Sequence, residues 1–176
     1  MSERRNIQFV SDSYLCSNCG ACYSACGKKA INLKWSQMGR LYASVNGDLC
    51  VDCGVCLKVC PSLNEKDLTN EWEDRFLGRI EGVYVGRATD SYIYKNAQSG
   101  GACTAILSSL FNKGLIDAAV VCQMTFGDVE PRVNPVIVTS AEELKRTQKS
   151  CYTPVSLLTI LNQCKSYKSV ALVGLP

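Results

Sequence analysis

Cys16-x2-Cys19-x2-Cys22-x3-Cys26 and, after a spacer, Cys50-x2-Cys53-x2-Cys56-x3-Cys60-Pro61 put eight of the twelve cysteines into two copies of one spacing. In a run of this kind three thiolates hold one iron-sulfur cluster and the fourth crosses to another. The spacing therefore points to electron transfer. A cubane needs one thiolate per iron, and two-residue gaps let the chain wrap one side of it with its amides aimed at the sulfurs, where they tune the potential. Gly20 and Gly54, each just after the second cysteine of its run, allow the tight turn and close backbone approach. The three-residue step then leads into a turn of helix. The expected sets are Cys16, Cys19, Cys22 and Cys60 for one [4Fe-4S] cluster, and Cys50, Cys53, Cys56 and Cys26 for the other. Crossing makes the two halves one folding unit. Gly27 stands after Cys26 where Pro61 stands after Cys60, which predicts a looser exit and a less shielded cluster there.

Zinc would use two cysteines from each run and leave the other four without a role. Disulfides need an oxidising compartment, and the polar start Met1-Ser-Glu-Arg-Arg-Asn does not resemble a secretion signal, so a cytoplasmic protein is expected. With 176 residues the chain has room for one ordinary domain and a small one. Hydrophobic residues make up 47% and mean hydropathy is zero, as in a globular protein without a membrane span. A net charge of +3 with interspersed signs gives no reason to expect nucleic acid. Histidine is absent, which leaves thiolates as the obvious metal ligands.

The elements that must position these residues follow from patterning. Asn6 to Val10 reads as a short strand. Ile31 to Trp35 and Leu41 to Val45 alternate apolar and polar around Met38-Gly39-Arg40 and form a hairpin over the clusters, before a turn at Asn46-Gly47-Asp48. Tyr14, Tyr23, Trp35 and Tyr42 are candidates to keep water from the clusters or to serve as ordinary core. The charged stretch 64–79, with Leu68, Trp72, Arg75 and Phe76 on one helical edge, reads as a linker. Domains are expected at 6–63 and 80–176.

The second domain reads as α/β. Strands are expected at Val83-Tyr-Val85, Asp117 to Cys122, Val136 to Val138 and Ser169 to Val173. A helix from Ala102 to Lys113 carries Ala102, Ala105, Ile106, Ser109 and Leu110 on one face and ends at Gly114. Ser140-Ala-Glu-Glu143 is a capping box. Pro154 to Ser166 is a helix with Leu157, Leu158, Leu161 and Cys164 inward. The whole is α+β: a small ferredoxin-like module followed by an α/β domain with a mostly parallel sheet. Cys103, Cys122 and Cys164 read as core filler, and Cys151, in the candidate flavin loop, as filler, a reactive thiol or an extra cluster ligand.

Ser99-Gly100-Gly101 at the mouth of a helix suits an anion such as a flavin phosphate, or simply a turn, and Lys149-Ser150-Cys151-Tyr152 offers a cation, hydroxyls and a ring. No G-x-G-x-x-G fingerprint is present. In order, Tyr84-Val-Gly-Arg-Ala-Thr-Asp90, Gln98-Ser-Gly-Gly-Ala102, Gly114-Leu-Ile-Asp-Ala-Ala-Val-Val121, Val138-Thr-Ser140 with Glu143-Leu144, Lys149-Ser-Cys-Tyr152 and Val170 to Pro176 resemble the coenzyme F420 hydrogenase/dehydrogenase beta-subunit family. The cysteine module in front is similar to the 2[4Fe-4S] ferredoxin domain of its bacterial members. The resemblance implies an FAD-bearing protein that passes electrons between clusters and a two-electron acceptor, with Ser99, Gly100, Gly101, Lys149 and Tyr152 at the flavin.

The family commonly has a bulkier residue where Cys151 stands, and its Gly-x-Pro is followed by cysteine and a further large segment. This sequence therefore reads as a fragment, or as one that lacks what completes the flavin and substrate sites. Two functions are set against each other: a flavin-dependent iron-sulfur oxidoreductase working with a redox partner protein or a small-molecule acceptor, and a non-enzymatic carrier whose second domain docks a partner.

Overall fold

The computed structural model describes residues 6–64, 80–126 and 131–174. Its elements are α1 (Gln8–Asp12), α2 (Ala21–Ala25), β1 (Ile31–Trp35), β2 (Leu41–Val45), α3 (Val55–Lys58), a 3₁₀ turn (Pro61–Leu63), α4 (Ser91–Asn96), α5 (Ala102–Asn112), β3 (Ala118–Phe126), β4 (Pro131–Val138), α6 (Ala141–Lys145), a long 3₁₀ helix (Leu157–Ser166) and β5 (Val170–Leu172).

The first module is built around its cysteines. Cys22, Cys56 and Cys60 share a core with Ile7, Val10, Ile31 and Ala43, and Cys16 and Cys26 pack against it. A domain this small has little else to bury, so the group its thiols hold supplies part of its interior. The hairpin is present, with Ile31 opposite Val45 and Trp35 opposite Leu41. Residues 6–10 are not a strand. Asn6 Oδ1 accepts the amide of Gln8 at 3.1 Å and starts a helical turn, which puts Ile7 and Val10 on one buried side. Ser11 then donates to the carbonyl of Ala43 at 2.5 Å and ties α1 to β2. The aromatic shield is also absent: Tyr14 is 77% exposed and Trp35 56%. Arg40 instead lies over the rings of Tyr14 and Tyr42.

In the second domain the strand order is β4-β3-β5. β3 and β5 pair in parallel through Ala118 to Val120, whereas the longer pairing of β3 with β4 is antiparallel. The sheet is thus mixed rather than mostly parallel. Strand alternation puts Ala119 and Val121 against Leu107 of α5 and Leu144 of α6, and Val120 on the other face against Leu157 and Cys164. Prolines are tolerated in β4 because it is an edge strand.

Several expected details change. Val83-Tyr-Val85 is exposed and forms no strand, since no described strand lies beside it to take its hydrogen bonds. Helix α5 buries Leu107 and Ser108 while Ile106 is 60% exposed; the alanines and Ile106 suggested a face one step round from the one that meets the sheet. Cys103, on that outer side, is exposed and fills no core. Gly114, at φ 63°, ends α5 as expected, and Leu115 donates back to the carbonyl of Leu110 at 2.9 Å. The segment after Pro154 is a 3₁₀ helix that leaves Leu161 exposed. The capping box forms: Glu143 N–H donates to Ser140 Oγ, and Glu143 accepts the amide of Thr139. Helix α4, unread in the sequence, is capped by Asp90 Oδ1, which accepts the amides of Tyr92 and Ile93. The linker at 64–79 lies, beyond Asn64, outside the described residues.

Candidate iron-sulfur and flavin sites

Both cysteine runs follow one backbone path. The residue before the second cysteine is left-handed in each, Asn18 at φ 53° and Asp52 at φ 49°, and so is the glycine after it, Gly20 at 87° and Gly54 at 73°. Two left-handed residues on either side of a cysteine curl the chain around one centre. Asn and Asp tolerate that conformation better than other non-glycine residues, a shared signal the sequence reading passed over. Each glycine then starts a short helix, α2 or α3, that carries the third cysteine.

Cys16, Cys19 and Cys22 of the first run and Cys60 of the second line one cavity, closed by Ile7, Val10 and Pro61. They do not converge on a point: among the described residues no three His, Cys, Asp or Glu side chains are gathered for a single metal ion. Four cysteines lining one space form a donor set suited to a multi-iron cluster. The Cys22 thiol is pushed up to about 12, first by burial and then by the Cys16 and Cys19 thiolates. Cationic iron relieves both effects, because it replaces the proton and offsets the clustered charge.

The other set is Cys50, Cys53, Cys56 and Cys26. Cys56 is raised by burial, partly offset by the backbone amides of Ile7, Cys56 and Leu57, and it feels the charge of Cys50. Cys26 accepts the amide of Ala30 at 3.3 Å and packs on the core that Cys56 enters. Cys53 is exposed.

The two segments expected from the sequence to face a flavin meet. The amide of Ser150 donates to Gln98 Oε1 at 2.5 Å, which places Lys149–Tyr152 beside Ser99–Gly101. Gln148 Nε2 donates to the carbonyl of Ile93 and anchors the same loop. In the sequence Gln98 stood only as part of its motif, with no role given, and Gln148 was not singled out. Lys149 is held at φ 86°, an uncommon conformation for a lysine. Gly101, at φ 73°, caps the eleven-residue helix α5. Gly100 has a packing duty as well: its carbonyl accepts the amide of Ala88 at 2.7 Å, and a Cβ there would lie 2.7 Å from the carbonyl oxygen of Gly86. Cys151 is pushed up by burial, the opposite of an activated thiolate.

The arrangement defines an iron-sulfur electron-transfer protein with an α/β domain behind it, and comparison with known proteins agrees. Residues 15–64 match the 4Fe-4S dicluster domain. Residues 83–162 match the N-terminal domain of the coenzyme F420 hydrogenase/dehydrogenase beta subunit. It is 30% identical to a subunit of the F420H2 dehydrogenase of Methanosarcina mazei over 92% of its own length. It is 29% identical to the coenzyme F420-dependent sulfite reductase of Methanocaldococcus jannaschii over 95%. The chain spans 46% of the first relative and 24% of the second. Among solved structures, a chain of the F420-reducing [NiFe] hydrogenase complex of Methanosarcina barkeri is 25% identical, with a TM-score of 0.45 over 53% of this chain and 35% of that one. No helix among the described residues is long and apolar enough to cross a membrane.

Proposed function

We propose that this chain passes single electrons between two [4Fe-4S] clusters and an FAD, as part of a flavin-dependent oxidoreductase working on a two-electron substrate. The observation that carries the cluster half is the cavity shared by Cys16, Cys19, Cys22 and Cys60, three thiols from one run and one from the other. In this reading those four hold one cluster, and Cys50, Cys53, Cys56 and Cys26 hold the second. Clusters move single electrons, and a flavin joins that chemistry to carriers that move pairs. The flavin half rests on the Gln98 to Ser150 hydrogen bond, which brings an exposed lysine beside the amides that open α5.

Ser99, Gly100 and Gly101 offer backbone donors to a phosphate, Lys149 its charge, and Tyr152, whose ring is exposed, a face for the isoalloxazine. The acceptor is the coenzyme F420 that the relatives' names print, or another two-electron carrier. A redox protein is the expected partner, and a reducing cytoplasm the setting in which these thiols stay free.

FAD titration of anaerobically prepared protein, followed by quenching of flavin fluorescence, tests the flavin half. Lys149→Ala should weaken binding by about tenfold, the scale of one charge-assisted contact, and leave iron content unchanged. This variant is cleaner than valine at Gly100 or Gly101, which would also strike Gly86 or Ile93. Protein that holds its iron and ignores FAD would return the carrier reading.

A further inference from the structure

The two cluster sites, alike in backbone, differ in what lies against them. The first run is fastened to the second domain by four hydrogen bonds. Ser156 Oγ donates to the carbonyl of Asn18 at 2.6 Å, and the amide of Leu158 to the carbonyl of Cys19 at 2.9 Å. Ser24 Oγ donates to the carbonyl of Leu158, and Asn162 Nδ2 to the carbonyl of Ser24 at 2.6 Å. The contact is close: a Cβ on Gly20 would stand 2.8 Å from Thr159 Cγ2 and 3.0 Å from its amide nitrogen. The second run is tied within its own module, where Asp52 accepts from Asn6 Nδ2 at 2.8 Å and Ser62 Oγ donates to the carbonyl of Leu15 at 2.7 Å. There Cys53 is exposed, together with Val51 and Leu49.

A trans peptide aims its carbonyl and its N–H in opposite directions. With the carbonyls of Asn18 and Cys19 drawn toward Ser156 and Leu158, the amides of Cys19 and Gly20 face away from the second domain. Ser17, Asn18, Cys19 and Gly20 also line the cavity that the four thiols share. Amides beside cluster sulfurs raise or lower the potential according to how they are held. Ser156 and the amide of Leu158 therefore hold in place the loop whose amides line the site of Cys16, Cys19, Cys22 and Cys60.

We propose that the two sites are ordered: Cys16, Cys19, Cys22 and Cys60 form the inner site, tuned by and in electrical contact with the second domain, and Cys50, Cys53, Cys56 and Cys26 form the outer site that exchanges electrons with redox agents in solution. This rests on the two-cluster reading above. With both sites loaded, the outer one would take one electron from a one-electron donor and pass that same electron to the inner one, with no proton or bond changing hands. Ser156 is a positioning residue, since it touches the loop at Asn18 and not the iron.

The test uses the full chain, anaerobically reconstituted, with electron paramagnetic resonance followed during redox titration in the presence of methyl viologen. Ser156→Ala should displace the midpoint and line shape of one cluster signal and leave the other in place. Gly54→Ala should displace the second signal alone. In heavy water, deuterium coupling should develop first at the signal that Gly54→Ala moves, because that site is open to solvent. The ordering fails if Ser156→Ala moves both signals alike, moves neither, or moves the one that exchanges first. Should Ser156→Ala lose iron, its loss must be confined to one cluster, and an equal loss from both overturns the proposal. None of these readouts involves flavin, so a chain that never binds FAD can still pass. A chain with no cluster signal at all refutes the underlying reading instead.

Discussion

The two cysteine runs are near copies in chain path and unlike in surroundings. Asn18 and Asp52, then Gly20 and Gly54, repeat the same left-handed turns, yet Gly20 is pressed on Thr159 while Cys53 stands open to solvent. A repeated motif therefore does not make two equivalent sites. Local spacing decides where thiols point; neighbours decide how dry and how rigid the place is.

The difference can be broken or sharpened experimentally. The largest effect is expected from Cys60→Ser. It should cost the cluster of the first run, lowering iron from about eight to about four per chain by the two-cubane pattern. Iron and sulfide analysis with resonance spectra would show whether the surviving signal belongs to Cys50, Cys53 and Cys56. Loss of that signal in place of the first would end the crossed assignment.

Next comes the pair Gly20→Ala and Gly54→Ala. Both meet the left-handed penalty of about 1–2 kcal/mol. Gly20→Ala also overpacks against Thr159, a further cost of about 1–3 kcal/mol, so its denaturant midpoint should fall further. Equal midpoints would mean that the second domain does not press on the first run in solution.

Cluster loading gives a smaller, pH-linked effect. Ligating thiols must lose their protons, and burial holds Cys22 and Cys56 above the usual thiol range, Cys22 at about 12. A raised value means the metal-free thiol is protonated at neutral pH. Loading should therefore release the protons of Cys22 and Cys56 and acidify a weakly buffered solution at neutral pH. Direct pH recording during reconstitution checks the sign. The smallest effect is a control outside both runs: Ser140→Ala removes the cap of α6 and should cost about 1 kcal/mol of stability without touching either cluster signal.

Much of the site was legible because it is local. Cysteine spacing, the glycines after Cys19 and Cys53, the hairpin, the stop at Gly114 and the capping box at Ser140 each depend on residues a few positions apart. The misreadings share the opposite cause. Asn6 to Val10 has a pattern that suits strand or helix, and its neighbours Ala43 and Val45 chose helix. Val83 and Val85 have strand-forming side chains but no described strand beside them. The buried face of α5 was set by where the β3–β4 face lies, which the alanines of the helix did not reveal.

Sequence alone determined the chemistry of this chain: thiolates at cluster spacing, with turns that only glycine, asparagine or aspartate make at little cost. Tertiary structure decided which of the two copies lies against the second domain. The bonds of Ser156 to Asn18 and of Asn162 to Ser24 each span 138 positions. Contacts at that separation leave no trace in local spacing, because they depend on how two separately patterned surfaces meet.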